Sequence, residues 1–185
     1  MGLVEHPEAR ADAKRLQPPA FPDDDGTTSA PVAAALEAYA ADRAAYPTAL
    51  GALLESRLLV PVVAVLGEVE YDEHGLAHDK TSDMATVLLT GADGRQALLA
   101  FTSMATMARW RADARPVPVP ARDAARAALQ EQAAAVVVDV AGPITVAIEG
   151  QDLSAMARGW QLTRVGEQTA WVAPRRELGD AGALG

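Results

Sequence analysis

The segment from Arg57 to Leu66, RLLVPVVAVL, constrains the fold more than any other, because it is continuously apolar after Arg57 and contains four β-branched valines. A run of this length without polar alternation is typical of a strand that is covered on both faces. Pro61 lies inside it. Because proline has no amide hydrogen, Pro61 predicts an edge position or a bulge at that point.

Three pairs of strand-like segments are separated by short turns. MATVLLTG and RQALLAFT flank GADG, AAAVVVDV and ITVAIEG flank AGP, and WQLTRVGEQTAWVAP turns back around Val165-Gly166-Glu167. Short turns that contain glycine favour hairpins, and hairpins make neighbouring strands antiparallel. The extended RPVPV segment is expected at a sheet edge, because its prolines cannot donate to a second neighbour.

Helical spacing of apolar residues occupies the segments between these strands. Ser29 and Pro31 are typical of a helix start, Thr48 precedes a second short helix, and Pro120 precedes a third. Asp152 is predicted to cap the segment LSAMAR. The alternation of these helices with hairpins predicts an α/β fold that leans toward α+β: a single domain with a mixed β-sheet flanked by helices.

Both ends of the chain lack apolar periodicity. Residues 1–28, which include the acidic run DDD, are predicted to form a flexible acidic tail, and residues 174–185 a second flexible tail. The domain is expected to span residues 29–173. A further acidic segment, residues 67–83, carries six acidic residues and one lysine.

Composition and charge argue against several function classes. The 185 residues include no cysteine, which removes disulfides, thiolate catalysis and cysteine-based zinc sites. The formal charge of -9 opposes nucleic-acid binding, which needs basic side chains to neutralise phosphates. No secretory signal or membrane-length apolar run is visible, so we expect a cytoplasmic protein with no nucleic-acid or membrane partner and no cofactor.

Thr102 and Ser103 stand where a predicted strand meets a predicted helix. A hydroxyl at this position can cap the helix, and the free amides of the first turn can also bind an anion. The segment lacks the glycines and the lysine of a phosphate-binding loop, so capping is the preferred interpretation. Ser103 has no histidine and acid arranged around it in the sequence, and we expect no serine-hydrolase chemistry.

Two further groups of side chains are candidate sites. Arg109, Arg111 and Arg115 could bind a carboxylate or phosphate, although Asp113 among them favours a surface salt-bridge group. His74 and His78, four residues apart, have metal-ligand spacing only if they lie on a helix. Their segment has no helical pattern, so a solvated acidic loop is preferred and no metal is expected.

Several ordered blocks of the chain resemble the SseB protein N-terminal domain family in its actinobacterial form. The resemblance spans roughly residues 21–160 and rests on the blocks RLLVPVVAVLGEVE, DKTSDMATVLLTGADGRQALLAFTS, ARWRADARPVPV and VVVDVAGPITVAIEG, preceded by DDDG. It implies an α/β fold and a cytoplasmic setting. It implies no catalytic residues.

These observations together predict a non-catalytic binding domain whose partner is another protein or a second copy of the chain. The alternative is a small-ligand or anion sensor, or an enzyme, that uses the junction at Thr102-Ser103. A translation or nucleic-acid factor is the least favoured, because no basic stripe is present. A concave pocket with polar walls at the junction would favour the alternative, and a flat or apolar surface would favour a partner protein.

Overall fold

The computed structural model describes residues 21–65, 70–71, 77–78, 83–166 and 168–174 of the chain. Its helices are α1 (Ala30–Ala41), α2 (Tyr46–Leu54), α3 (Met104–Trp110), α4 (Ala121–Gln130) and α5 (Gly150–Ala157), with a 3₁₀ turn at Arg43–Ala45. Its strands are β1 (Arg57–Val65), β2 (Glu70–Tyr71), β3 (Ala77–His78), β4 (Asp83–Thr86), β5 (Leu88–Thr90), β6 (Gln96–Ala100), β7 (Arg115–Pro120), β8 (Ala135–Val138), β9 (Val146–Glu149), β10 (Gln161–Val165) and β11 (Gln168–Val172). No helix in these ranges has the length and apolarity needed to span a bilayer.

Two sheets form the centre of the domain. The first has the strand order β4-β1-β7 and is antiparallel, and the second has the order β5-β6-β8-β9 with β6 parallel to β8. Leu59 of β1 and Phe101, which follows β6, join the sheets through two backbone hydrogen bonds of 2.8 and 2.9 Å. The predicted class, a single α/β domain with a mixed sheet, is confirmed.

The three predicted hairpins are present. β5 pairs with β6 across a turn in which Gly94 has φ 79°, β8 pairs with β9, and β10 pairs with β11 across Gly166 at φ 64°. Glycine accepts positive φ without a side-chain clash, so both turns can close tightly. The RPVPV segment also behaves as predicted, because β7 pairs with β1 and with no other described strand.

Pro61 was predicted to mark an edge position or a bulge, but β1 is not an edge strand and its register with β7 runs through Pro61 without a bulge, so this prediction is wrong. β1 has neighbours on both sides: Pro61 stands opposite Pro116 of β7, and the pairing with β4 begins one residue later, at Val62. Backbone amides two residues apart point to the same side of a strand, so Pro61 faces the side on which Leu59 bonds Phe101. The position at which Pro61 lacks an amide hydrogen therefore lies between the Phe101 contact and the start of the pairing with β4.

Aliphatic side chains fill most of the core, in keeping with an aromatic content of only 4%. Helices α1, α2, α4 and α5 cover one face of the sheets, and α4 contributes four buried alanines to this layer: Ala121, Ala124, Ala125 and Ala128. Side chains of this size let the helix approach the strands closely. Helix α3 covers the opposite face, where Met107 packs with Leu59, Leu99 and Phe101.

Asp152 holds three elements together and does not cap a helix, contrary to the sequence prediction. Helix α5 begins at Gly150, and the Asp152 carboxylate in its first turn accepts hydrogen bonds from Tyr46 Oη of α2 (3.0 Å) and Trp171 Nε1 of β11 (2.8 Å). Burial and the Asp152 charge raise the pKa of Tyr46, so its hydroxyl stays protonated and donates. The hairpin β10-β11 is fixed to the helical layer through this contact.

Asp152→Ala is expected to lower the free energy of unfolding by about 3 kcal/mol, because a hydrogen bond to a charged group contributes about 1.5 kcal/mol or more and two are lost. Chemical denaturation followed by tryptophan fluorescence measures this change. The matched control is Glu37→Ala, which removes an exposed acid of α1 and should change stability by less than about 0.5 kcal/mol. Equal stability of Asp152→Ala and the wild type would contradict the assignment.

Candidate functional site

Ser103 is the N-cap of α3, as predicted for this junction. Its Oγ accepts a hydrogen bond from the Thr106 amide (3.1 Å), and Thr106 Oγ1 accepts one from the Ser103 amide (3.3 Å). This reciprocal capping box satisfies two amides that the helix itself leaves unpaired. Ser103 is buried, and both its hydroxyl and its amide take part in capping the helix.

Thr102 binds a buried carboxylate. Its amide donates to Asp139 Oδ1 (2.9 Å), and its hydroxyl Oγ1 donates to Asp139 Oδ2 (2.6 Å). Asp139 follows β8 and Thr102 follows β6, and because these strands are parallel neighbours their carboxyl ends lie side by side. In α/β folds, ligands often bind just beyond the carboxyl ends of such strands.

Sequence reasoning missed Asp139. Asp139 is 2% exposed and has φ 54°, a conformation that few residues other than glycine adopt and that aspartate tolerates. Its carbonyl accepts from the Gly142 amide (2.8 Å) and from Thr145 Oγ1 (3.0 Å). The available signal was a single acid directly after the apolar run VVV, at the end of a predicted strand.

Residues 21–28, which we call the strap, lie across this junction and are held there by Arg57. Asp24 accepts two hydrogen bonds of 2.8 Å from Arg57, one from Nε and one from Nη2. The same guanidinium donates to the Thr27 carbonyl (2.7 Å) and to the Thr102 carbonyl. Arg57 therefore binds the strap and the end of β6 at the same time.

Two further contacts attach the strap to the start of α3. The Met104 amide donates to the Gly26 carbonyl (2.8 Å), and the hydroxyls of Thr28 and Thr102 are 2.8 Å apart. Gly26 has φ 76°, and a Cβ at this position would lie 2.7 Å from Met104 Cγ, so only glycine fits without a shift.

The strap changes the expected domain boundary. Residues 21–28 were predicted to belong to a flexible tail, but they make an ion pair, one backbone hydrogen bond and two hydrogen bonds through side chains with the domain. The sequence pattern could not show this, because the strap buries little apolar surface and is held by polar contacts. Residues 1–20 and 175–185 lie outside the described residues, so the rest of the two predicted tails stays a prediction.

The strap forms one wall of a cleft of about 620 Å³. The start of α1 at Ser29 and Val32, the turn at residues 55–57, and Thr102 form the remaining walls. Phe21, Pro22 and Val32 supply the apolar part of the lining, and hydroxyl and charged groups supply the rest. The volume lies in the range of small-molecule sites in proteins, about 300–1,000 Å³.

Acidic side chains dominate the electrostatics of the cleft. Its lining contains four carboxylates and one guanidinium: Asp23, Asp24, Asp25, Glu55 and Arg57. The hydrogen bonds from Arg57 hold the pKa of Asp24 below its ordinary value, although burial acts in the opposite direction. The Thr27 hydroxyl and amide likewise lower the pKa of Asp25. These two carboxyls are thus charged at neutral pH, and Asp24 compensates the one cation.

Four of the amides at the junction are already engaged. Thr102 donates its amide to Asp139, Ser103 to Thr106, Met104 to Gly26, and Thr106 to Ser103. An anion at this point would have to displace these bonds and approach several carboxylates. The geometry therefore gives no support to the anion-binding interpretation of Thr102 and Ser103.

The arginine cluster stands apart from the cleft. Arg109, Arg111 and Arg115 are exposed, and none of them lines it. Arg111 lies over the Trp110 ring with its guanidinium carbon 5.0 Å from the ring centre. Among the described residues no ion pair joins these arginines to Asp113, so the predicted salt-bridge group is not observed there.

The histidine pair falls largely outside the described residues. His74 lies outside them, and the backbone of His78 belongs to β3, opposite Glu70 of β2. A strand position at His78 does not match the helical spacing that a pair four residues apart would need. In the part of the chain that the structure describes, no group of three or more histidine or acidic side chains is placed to hold a metal ion.

Comparison with known proteins identifies the family. The family model for the SseB protein N-terminal domain matches residues 32–155, about two thirds of the chain, so the chain belongs to this family. No match was found among curated proteins or among solved structures. The matched segment contains Arg57, Thr102 and Asp139, whereas the strap precedes it.

Asp24→Asn tests the ion pair that holds the strap. At pH 7 the variant should be less stable by about 1 kcal/mol, the upper end for a partly exposed pair. Because folding depresses the pKa of Asp24, this stabilisation is present above the unfolded pKa of about 3.9 and is lost as the pH falls through the folded value. Wild type and variant should therefore converge in acid.

Thermal or chemical unfolding between neutral pH and acid measures this convergence. The matched control is Asp93→Asn, which also breaks a carboxylate-arginine pair, but one in which both side chains are more than half exposed. Solvent screening predicts a much smaller effect there. A destabilisation by Asp24→Asn that is the same at every pH would show that the charge of Asp24 is not its cause.

Proposed function

We propose that this member of the SseB family is a non-catalytic binding domain and that the cleft beneath the strap binds a positively charged group. The observation that carries the proposal is the charge of a cleft of ligand size: four carboxylates against one arginine that is already paired. A cation entering this cleft is attracted by the carboxylates that are not paired with Arg57.

The shape of the site favours a small ligand or a single side chain over a flat protein surface. A concave cleft with polar walls at the strand-helix junction is the feature expected of a ligand sensor. Ammonium and guanidinium groups occur both on small metabolites and on the lysine and arginine side chains of a partner protein. The cleft is suited to this shared chemistry, in the cytoplasmic setting that the family resemblance implies.

Three of the hydroxyl groups that line the cleft already donate hydrogen bonds to neighbouring groups, which favours binding over catalysis. Thr27 donates its hydroxyl to Asp25, Ser56 to the Leu53 carbonyl, and Thr102 to Asp139. A nucleophilic hydroxyl needs a neighbouring base that takes its proton and a position from which it can reach the substrate. These three hydroxyls instead serve as fixed parts of the wall.

Methylammonium chloride is a suitable first probe, and sodium phosphate at the same ionic strength tests the opposite charge. We expect methylammonium to shift the backbone amide NMR signals of residues 26–29 and of Thr102 in a saturable way, with no such effect from phosphate. Glu55→Gln removes one lining carboxylate and should weaken methylammonium binding roughly threefold, about the worth of one nearby charge near water.

Glu37→Gln provides the matched control, since Glu37 is an exposed acid of α1 outside the cleft. It should leave methylammonium affinity unchanged. Saturable binding of phosphate at the junction, or equal effects of Glu55→Gln and Glu37→Gln, would contradict the proposal and favour an anion site or nonspecific attraction.

A further inference from the structure

A chain of hydrogen bonds runs from the buried Asp139 to the cleft. Asp139 Oδ2 is 2.6 Å from Thr102 Oγ1, and Thr102 Oγ1 is 2.8 Å from Thr28 Oγ1. Asp139 is 2% exposed, Thr102 is 3% exposed, and Thr28, half-buried, lines the cleft. The chain thus connects a carboxylate that water does not reach with a hydroxyl at the site.

The buried end of this chain fixes the direction of every bond in it. A carboxylate only accepts hydrogen bonds, and a threonine hydroxyl has one proton to donate. Thr102 donates that proton to Asp139, so toward Thr28 its oxygen can only accept. The contact between the two hydroxyls, which the oxygen positions alone leave open in direction, therefore has Thr28 as its donor.

We infer that Thr28 is an acceptor-only contact of the cleft and selects ligands that carry an N–H donor, such as a primary ammonium or a guanidinium group. The inference rests on the proposed function and adds the specificity of the same site. Since the Thr28 proton points to Thr102, only lone pairs of its oxygen are directed elsewhere. A cation without N–H groups satisfies the charge of the cleft but leaves this acceptor unpaired.

Arg57 contributes to the excess of free hydrogen-bond acceptors in the cleft, because its own donors are already used. Arg57 is the strongest donor in the lining, and it directs its N–H groups to Asp24, Thr27 and Thr102. Its side chain is only 12% exposed. The charged side chains of the walls therefore offer mainly acceptors, and a ligand with several donors complements them.

Methylammonium and tetramethylammonium distinguish hydrogen bonding from charge alone, because both carry one positive charge and only the first has N–H groups. Wild type should bind methylammonium about tenfold more tightly, the order expected for one hydrogen bond to a charged group. Thr28→Val keeps the shape of the side chain and should lose most of this difference by weakening methylammonium alone. Thr28→Ser restores the hydroxyl and should recover it.

Thr163→Val is the matched control, since it makes the same change at an exposed position of β10 away from the cleft. Binding of neither cation overturns the proposed function and the inference with it. Equal binding of both cations by the wild type, or an unchanged preference in Thr28→Val, overturns the inference alone and leaves a purely electrostatic site.

Asp139→Asn tests whether the Asp139 carboxylate sets the direction of the hydrogen bonds that run from Thr28 through Thr102. An asparagine amide can donate to Thr102, which frees the Thr102 proton for Thr28 and the Thr28 proton for the cleft. Asparagine also tolerates the positive φ of this position. A folded Asp139→Asn protein should lose the preference for methylammonium, and retention of the full preference would contradict the directional chain. If this variant does not fold, the Thr28 variants decide the question.

Discussion

The guanidinium of Arg57 donates the hydrogen bonds on which the site depends. It stands at the first residue of β1 and donates to Asp24, to the Thr27 carbonyl and to the Thr102 carbonyl, which come from two segments far apart in the sequence. Its planar fork suits a carboxylate that accepts two bonds, and a lysine could not make the same set of contacts. The strap and the end of β6 are joined by one side chain.

The sheet supplies the other half of the arrangement. Because β6 and β8 are parallel, Thr102 and Asp139 lie at the same end of the sheet. The Asp139 carboxylate accepts hydrogen bonds from both the amide and the hydroxyl of Thr102. The helix cap at Ser103 then turns the chain away from the sheet. Thr102 is thus fixed from inside by Asp139 and covered from outside by the strap, and the cleft opens beside it.

Local signals in the sequence predicted local structure well. The turns at Gly94 and Gly166, the edge strand RPVPV and the cap at Ser103 each depend on residues within a few positions of one another, where turn and capping preferences act. The family also could be predicted, from the ordered blocks that resemble it.

The contacts that build the site could not be predicted in this way. Asp24 and Arg57 are 33 positions apart, and Thr102 and Asp139 are 37 apart, so their meeting depends on the order of strands in the sheets. A short polar strap without apolar periodicity has the sequence pattern of a tail, although one ion pair and three further hydrogen bonds fix it to the domain. Asp152 was misread for the same reason, because its partners belong to α2 and β11.

Hydrogen exchange of the Met104 amide tests most directly whether the strap is a built wall of the site. This amide donates to Gly26 of the strap, whereas the Met107 amide donates to Ser103 within α3 and serves as an internal reference. Arg57→Lys should accelerate exchange at Met104 about tenfold, the effect of losing a hydrogen bond to a charged group, with Met107 unchanged. Unprotected exchange of Met104 in the wild type, or equal exchange in the two proteins, would contradict the account.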